Sequence, residues 1–171
     1  KRYYTAVLKG HIVLASARFD AETTGEELDQ RTRVPLRAQG LDYLHGTGHG
    51  VGHLLSVHEG PHTISPRGKD CHVLPGMISS DEPGVYLEGK YGIRTENELV
   101  CHKAEKNEYG QFMNFENITY APIDLDAIDP DEMTGREKKM LNDYHAMVYK
   151  TLSPYMTPEE NEWLKKYTRA I

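Results

Sequence analysis

Four stretches of the chain have the spacing of apolar and polar residues that is typical of helices. In the first stretch, apolar residues recur every three or four positions, which predicts an amphipathic helix over roughly 3–18. The other three begin with a Thr-x-x-Glu capping box, in which the threonine hydroxyl and the glutamate carboxylate satisfy backbone N–H groups at the helix start. These boxes begin at Thr24, Thr134 and Thr157.

Signals within these stretches predict how far each helix extends. The second helix is expected to run to about Ala38 and to end at Gly40, since glycine tolerates the left-handed conformation that follows many helices. Pro35 is expected to kink this helix or split it in two, because proline lacks an N–H group and its ring clashes with the preceding turn. In the last two helices, apolar stripes at 140–152 and 163–167 are expected to pack against the rest of the domain.

The middle of the chain has the alternating and apolar runs that are typical of strands. The predicted strands are His45–Val57, Met77–Tyr86, Tyr91–Cys101 and Phe112–Thr119. Glycine occupies every even-numbered position of the first strand from 46 to 52, so a period of two leaves one face without side chains. A bare strand face usually means that another group approaches the backbone closely. The second and third strands are predicted to form a hairpin centred on Gly89.

The first predicted strand begins a dense group of histidines, and five of the nine in the chain lie between His45 and His62. A helix would bring His45, His49 and His53 to one face, but each glycine in it would cost about 1 kcal/mol relative to alanine. On a strand, residues four apart are separated by about 13 Å, so His45 and His49 cannot bind the same ion. Two interpretations stay open: one of these histidines is a metal ligand, or this is a core strand whose histidines bond to their neighbours.

The predicted hairpin brings two glutamates together. Its register places Glu82 directly opposite Glu96, with their Cβ atoms about 5 Å apart, and puts Tyr86 and Arg94 on the same face. Unpaired like charges in such a position are destabilising, so a cation is expected between the carboxylates. That cation is either a bound metal ion or the guanidinium of Arg94. Pro83 removes one ladder hydrogen bond and makes the hairpin irregular near Glu82.

Composition and charge exclude several classes of protein. At 171 residues the chain fits one domain with a hydrophobic core. Its formal charge of −6 and lack of a basic run argue against nucleic-acid binding, and no apolar stretch approaches the ~20 residues that span a membrane. Cys71 and Cys101 do not form a disulfide framework, which favours a reducing, cytoplasmic location. The chain opens inside a helical pattern without an initiator methionine, so it is expected to be a fragment.

One histidine and two facing glutamates would form a metal site dominated by oxygen donors. Such a site suits manganese, cobalt or zinc in a hydrolytic role, rather than a structural zinc held by cysteines. Two divalent ions bridged by carboxylates activate a water molecule and polarise a carbonyl group. Three ligands are too few for two ions, so further carboxylates are required.

Four ordered motifs resemble one family of enzymes. They are His45-Gly-Thr-Gly-His49-Gly-Val-Gly, Val57-His58-Glu-Gly-Pro61, Asp81-Glu82-Pro-Gly-Val-Tyr86 and Gly92-Ile-Arg94-Thr-Glu96-Asn. Together they look like the pita-bread metallopeptidases, and among these like the Xaa-Pro aminopeptidases (aminopeptidase P) of the larger, multidomain cytosolic kind. The resemblance implies an α+β pita-bread (creatinase/aminopeptidase) fold, in which helices cover a curved, mainly antiparallel sheet. It also implies a cytoplasmic homodimer with two divalent metal ions, usually manganese, that removes the N-terminal residue preceding proline from a peptide.

The resemblance also implies roles for individual residues. His49, Glu82 and Glu96 match metal ligands, with Glu96 as the bridging carboxylate. His45 and His58 match histidines that position the substrate and stabilise the tetrahedral intermediate. Glu82 would also act as the general base, so the candidate catalytic residues are His45, His58 and Glu82.

The resemblance is incomplete. Tyr86 and Arg94 match residues that surround the ligands, but the family's two aspartate ligands, in an Asp-x-Gly motif followed by Thr-Asp-x-Thr-Arg, have no counterpart here. Residues 1–171 are therefore expected to be a partial catalytic peptidase domain that lacks the upstream aspartate-bearing strands and is inactive alone. Two alternatives stay open: a prolidase, which has the same fold and ligands but cleaves dipeptides, and a peptidase-like binding module without catalysis.

Overall fold

The computed structural model describes residues 1–54 and 56–171, and this part of the chain contains both helices and strands. Its α-helices are α1 (Arg2–Ala15), α2 (Gly25–Arg37), α3 (Gly135–Leu152) and α4 (Pro158–Tyr167). Its strands are β1 (Arg18–Asp20), β2 (Gly48–His49), β3 (Thr63–Ile64), β4 (Ile78–Asp81), β5 (Gly84–Leu87), β6 (Tyr91–Arg94), β7 (Asn97–Asn107) and β8 (Gly110–Asn117). Short 3₁₀ turns lie at Leu125–Ala127, Pro130–Glu132 and Ser153–Tyr155.

The predicted helix starts are confirmed. Thr24, Thr134 and Thr157 each form a complete capping box with the glutamate three residues later. Gly40, which follows α2, has a φ of +72° and so adopts the left-handed conformation expected at a helix end. These starts and this end depend on residues close together in sequence, which is why the sequence pattern predicts them well.

Pro35 lies in the last turn of α2, where one lost hydrogen bond matters least, and it does not split the helix, which was one of its two expected effects. A second prediction about the helices is wrong. Trp163 was expected to pack against the domain, but its side chain is 52% exposed, whereas Leu164 is completely buried. A short helix on the surface buries one row of side chains, so the neighbouring position faces solvent.

The main sheet of the described residues is antiparallel, with strand order β1-β8-β7-β4. β7 and β8 form a long hairpin at its centre, with an irregularity between Lys103 and Lys106. Two smaller antiparallel pairs, β2–β3 and β5–β6, accompany it, and a bridge between Gly50 and Ser79 ties the region of β2 to β4. The expected combination of helices with a mainly antiparallel sheet is confirmed.

α1 contributes to each of the hydrophobic clusters that form the core. Leu14 packs with residues of the main sheet, including Leu99. Leu8 packs with the segment before α3 and with Leu141 on α3 itself. Val7 packs with residues of α2 and β5. Because neighbours cover α1 on several sides, this helix determines how α2, α3 and the sheet lie relative to one another.

The predicted strand from His45 to Val57 is wrong in its length. Strand conformation is confined to β2, which pairs with β3. Residues 53–54 form a turn, and residues 56–58 are exposed. Leu55, which was predicted to belong to the strand, lies outside the described residues.

Backbone hydrogen bonds explain why the strand stops. The N–H of Gly52 donates to the carbonyl of Ser56 at 2.8 Å, and the N–H of Glu59 donates to the carbonyl of Gly50 at 2.9 Å. A side chain at Gly50 or Gly52 would overlap Glu59. The glycines therefore permit another group to approach the backbone closely, as their pattern predicts. That group is the following loop, which folds back so that Ser56 and Glu59 contact Gly50 and Gly52.

The predicted hairpin has the predicted register but is divided into two ladders. β5 pairs with β6, and β4 pairs with β7, in one continuous register. Between the ladders, Pro83 has no N–H to donate, and the N–H of Glu82 donates to the carbonyl of Thr47 at 2.8 Å. Glu82 and Glu96 therefore lie opposite each other in the gap between the ladders.

Two further findings concern the described residues as a whole. No described helix combines the length and apolar composition needed to cross a membrane. Cys71 and Cys101 are both free thiols.

Candidate metal centre

Ion pairs that include Arg94 connect the three predicted ligands. His49 Nε2 is 2.9 Å from Glu82 Oε1. Arg94 Nη2 is 3.3 Å from Glu82 Oε2, and Arg94 Nε is 3.4 Å from Glu96 Oε2. The guanidinium of Arg94 thus contacts both carboxylates, as expected of one of the two cations that the hairpin pattern left open.

Local hydrogen bonding determines the tautomer of His49. Its Nδ1 is 3.0 Å from the carbonyl oxygen of Gly50, and a carbonyl can only accept, so Nδ1 carries the proton. Nε2 faces a carboxylate oxygen of Glu82 at 2.9 Å. At this separation a cation lies between the two atoms, either a proton on Nε2 that is donated to the carboxylate or a metal ion that both atoms bind. Histidine ligands of metals typically donate their other N–H to a backbone carbonyl in the same way.

Ser80 and Thr47, which the sequence patterns did not single out, hold Glu82 in place. The hydroxyl of Ser80 accepts the N–H of His49 and donates to Glu82 Oε1, each at 3.0 Å. The carbonyl of Thr47 accepts the N–H of Glu82. Glu82 is 7% exposed, so these contacts orient a carboxylate that is largely removed from water.

His45 and Tyr86 form the second part of the site. Nδ1 of His45 lies 2.7 Å from the carbonyl oxygen of Gly46 and must donate to it. Nε2 of His45 therefore accepts from the hydroxyl of Tyr86, at 2.9 Å. Arg94 Nη1 donates to that hydroxyl at 3.3 Å, so the guanidinium contacts the carboxylates and Tyr86 together.

The other histidines of the group lie in different surroundings. His58 lies beside the candidate ligand, with its ring centroid 4.2 Å from that of His49. His53 is exposed in a turn after β2. His62 is buried and uses Nε2 to contact Ser79 at 2.9 Å, and burial lowers its pKa. The structure thus brings His49 and His58 together and connects His45 to the same site through Tyr86 and Arg94. His62 bonds to Ser79 instead but lies close enough to His49 for their charges to interact.

A buried pair behind the site was also not predicted. His11 Nδ1 on α1 lies 3.0 Å from Asp81 Oδ2 on β4, and both side chains are almost completely buried. Burial alone would lower the pKa of His11, but the charge of Asp81 and its hydrogen bonds to His11 together outweigh burial and raise this pKa. Burial raises the pKa of Asp81, although the charge of His11 opposes the change. The pair anchors α1 to the residue that precedes Glu82.

The donor set matches the chemistry of a hydrolytic metal centre but not its full ligand count. Carboxylate oxygens and one imidazole nitrogen suit manganese, cobalt or zinc. Negative charge is concentrated here, since burial and then the charge of Glu96 raise the pKa of Glu98. Within residues 1–54 and 56–171, however, no group of three or more histidine, cysteine, aspartate or glutamate side chains is arranged to hold a metal ion. His49, Glu82 and Glu96 therefore need further ligands to complete such a centre.

Comparison with known sequences matches the chain to relatives over almost all of its length. Curated relatives include Aminopeptidase P1 of Arabidopsis thaliana, 47% identical over 176 residues, and Probable Xaa-Pro aminopeptidase P of Coprinopsis cinerea, 43% identical over 177 residues. These matches cover 100% and 99% of this chain. The chain spans only 27% and 28% of the length of those two relatives.

Solved structures give the same result. The chain is similar to an X-prolyl aminopeptidase from Caenorhabditis elegans, described as a cytosolic enzyme with a di-nuclear active site, with a TM-score of 0.90 and 38% identity. That likeness covers 99% of this chain and 28% of the other. The prolidase from Pyrococcus furiosus is similar over 71% of this chain and 32% of its own, with a TM-score of 0.58 and 26% identity.

The fold and the family follow from these comparisons. The likeness to these structures confirms the expected α+β pita-bread fold. Residues 111–171 match the family described as the C-terminal region of peptidase_M24, and residues 1–103 match Metallopeptidase family M24. The chain therefore belongs to metallopeptidase family M24.

Proposed function

We propose that this chain is the C-terminal, metal-binding part of the catalytic domain of an Xaa-Pro aminopeptidase. Such an enzyme hydrolyses the bond between the N-terminal residue of a peptide and a proline in second position. The observation that carries the proposal is the 2.9 Å contact between Nε2 of His49 and the buried carboxylate of Glu82. The matches, over 100% and 99% of this chain, to relatives named aminopeptidase P and Xaa-Pro aminopeptidase P favour this activity over that of a prolidase.

We assign His49, Glu82 and Glu96 to the metal ions, with Glu96 as the bridging carboxylate. Two divalent ions carry more positive charge than two glutamates can balance. We therefore assign the remaining ligands to two aspartates outside residues 1–171, so that this chain alone is expected to be inactive. When bound, the metal pair would lower the pKa of a bound water and polarise the substrate carbonyl.

The residues of this chain would then have separate roles. Glu82 accepts the proton of the attacking water as general base, because its carboxylate is oriented by Ser80 and removed from solvent. His45, whose Nε2 faces the site, positions the substrate together with Tyr86. His58 donates to the negative charge that develops on the substrate oxygen.

The identity of the metal, the location and the assembly are further parts of the proposal. Manganese is assigned because carboxylate-rich donor sets suit it, with zinc or cobalt as substitutes. A cytoplasmic location agrees with the free thiols of Cys71 and Cys101. A homodimer that acts on peptides, and not on nucleic acids or membranes, follows from the family resemblance.

The test uses the complete protein, meaning these residues together with the proposed aspartate-bearing segment. Titration of Mn²⁺ by calorimetry should show two bound ions, and a tripeptide with proline second should be cleaved in a metal-dependent reaction. Glu96→Gln should lose metal and activity together, because it removes the charge of the proposed bridging ligand. His53→Ala, a neighbouring exposed histidine outside the site, is the matched control and should behave like the unmodified protein.

The same experiment separates the alternatives. Cleavage of a dipeptide in preference to the tripeptide would identify a prolidase. Metal binding without cleavage of either peptide would favour a peptidase-like binding module. Metal binding that is unaffected by Glu96→Gln would contradict the assignment of this residue as a ligand.

A further inference from the structure

Arg33 on α2 has a complete set of buried partners. Its side chain is 2% exposed. Nε and Nη2 donate to the two carboxylate oxygens of Asp29 at 2.7 and 2.9 Å. Nη1 donates to Asp42 Oδ1 at 2.7 Å and to the carbonyl of Tyr43 at 2.6 Å, and Nη2 also donates to the carbonyl of His45 at 2.7 Å. A guanidinium has five N–H groups, so each one has an acceptor.

Three of these acceptors lie on residues 42–45, the segment that leads into the site. The guanidinium of Arg33 also stacks on the ring of Tyr43, at 3.9 Å from its centroid. The ring of Tyr43 in turn lies 4.8 Å from the ring of His45. Arg33 therefore constrains both the backbone of His45 and the orientation of its imidazole.

A second branch of the same network reaches Glu82. Asp29 Oδ1 accepts the hydroxyl of Thr47 at 2.7 Å, and that hydroxyl is also hydrogen-bonded to the hydroxyl of Tyr43. The carbonyl of Thr47 accepts the N–H of Glu82 at 2.8 Å. One buried network thus connects α2 with two of the candidate catalytic residues.

We infer that Arg33 is a positioning residue for the proposed reaction, which it serves by holding His45 and Glu82 in register without contacting substrate or metal. The inference rests on the proposed function. A buried ion pair by itself is weak evidence for a stabilising role, since well-packed apolar residues are often equally stable. A misplacement of about 1 Å at a reacting group, in contrast, can lower the rate by about 100-fold. The geometry of Arg33, with acceptors on the catalytic segment, fits the second role.

Arg33→Lys in the complete protein tests this inference. Lysine keeps the charge beside Asp29, but its single ammonium cannot reproduce the planar fork that also reaches the carbonyls of Tyr43 and His45. The expected result is a fall in kcat of about 10- to 100-fold, with KM changed less than about threefold and the bound metal unchanged. Arg31→Lys, an exposed position on the same helix, is the matched control and should alter none of these quantities.

A spectroscopic measurement separates positioning from loss of stability. In protein labelled with ¹⁵N-histidine, His45 should show one tautomer with the proton on Nδ1, and Arg33→Lys should shift it toward a mixture. His145, which is buried far along the chain on α3, should keep its signal and so report that the protein is folded.

The possible outcomes separate a failure of the role of Arg33 from a failure of the proposed function. An unchanged kcat together with an unchanged His45 signal in Arg33→Lys would overturn the inference. If Arg33→Lys does not fold, Asp29→Asn takes its place, since it keeps the shape of the side chain and should give the same loss of kcat and shift of His45. If the unmodified protein shows no metal-dependent cleavage, the proposed function fails, and the His45 signal alone then shows whether Arg33 positions this residue.

Discussion

Two histidines of the site make the same local hydrogen bond. His45 and His49 each direct Nδ1 at the carbonyl of the glycine that follows, at 2.7 and 3.0 Å. The partner is the next residue along the chain, so a His-Gly dipeptide in this conformation is sufficient to occupy Nδ1 and to turn Nε2 toward a different partner. The partners of the two Nε2 atoms come from distant parts of the chain: Nε2 of His45 contacts Tyr86, and Nε2 of His49 contacts Glu82.

His58→Ala in the complete protein should lower kcat by at least about 100-fold while leaving the bound metal largely unchanged. The reason is that His58 lies beside His49 but is proposed to donate to charge that develops in the transition state. Steady-state kinetics and metal analysis of the purified variant measure the two effects separately. His53→Ala should retain activity, and loss of metal in His58→Ala would mean instead that His58 is a ligand.

At the scale of elements, the segment from β2 to β3 combines two different uses of glycine. Gly48 lies against the backbone carbonyl of Ser80, so that β2 can approach β4 closely. Gly50 and Gly52 allow the following loop to turn back toward Glu59. The first use places His49 beside Glu82, and the second places His58 beside His49.

Gly48→Ala should destabilise the protein by about 1–3 kcal/mol and weaken metal binding, because the added methyl would overlap the carbonyl of Ser80. Backbone atoms of a sheet cannot move aside as a flexible side chain can. Thermal unfolding and metal titration of the variant check both effects. Gly135→Ala, where an added methyl meets open space, should change stability by less than about 0.5 kcal/mol. Equal effects of the two substitutions would contradict the steric explanation.

At the scale of the whole molecule, α3 is joined to the core through a buried histidine. Nε2 of His145 accepts the N–H of Ile123 at 3.0 Å. Ile123 belongs to the cluster in which Leu8 of α1 and Leu141 of α3 also pack. His145 is completely buried, and burial lowers its pKa to about 4. The contact between α3 and the rest of the domain therefore depends on a neutral imidazole.

Stability should consequently fall in acid. The pKa of His145 is lower in the folded state than its ordinary value of 6.5, so between pH 6.5 and about pH 4 the unfolded state binds the extra proton. The contribution of neutral His145 to the free energy of unfolding is fully present above pH 6.5. It decreases by about 3 kcal/mol as the pH falls to 4. Urea denaturation at a series of pH values measures this loss.

Two variants check that His145 is responsible. His145→Gln keeps an acceptor for the N–H of Ile123 but does not titrate, so its stability should depend less on pH over the same range. His102→Gln changes a histidine on the surface of β7 and should keep the acid sensitivity of the unmodified protein. An acid sensitivity that is unchanged in His145→Gln would contradict the assignment.

The sequence by itself determined the features that depend on neighbouring residues. The capping boxes at Thr24, Thr134 and Thr157 involve residues three apart, and Gly40 ends α2 through its own conformation. The register that sets Glu82 opposite Glu96 follows from the turn between the strands and their period of two. The family also follows from the sequence, because its motifs are short and ordered.

The tertiary structure decided the features that depend on residues far apart in the chain. The predicted strand after His49 does not form because Gly50 and Gly52 bond to Glu59 and Ser56, a contact that strand periodicity does not encode. The divided hairpin has the same origin, since the N–H of Glu82 bonds to Thr47 rather than to β7. The hairpin pattern offered Arg94 as one possible cation for the two glutamates, and the fold brings its guanidinium into contact with both. The partners of Arg33 were not foreseen either, because hydrogen bonding of a buried charge is set by whichever groups the fold brings within reach.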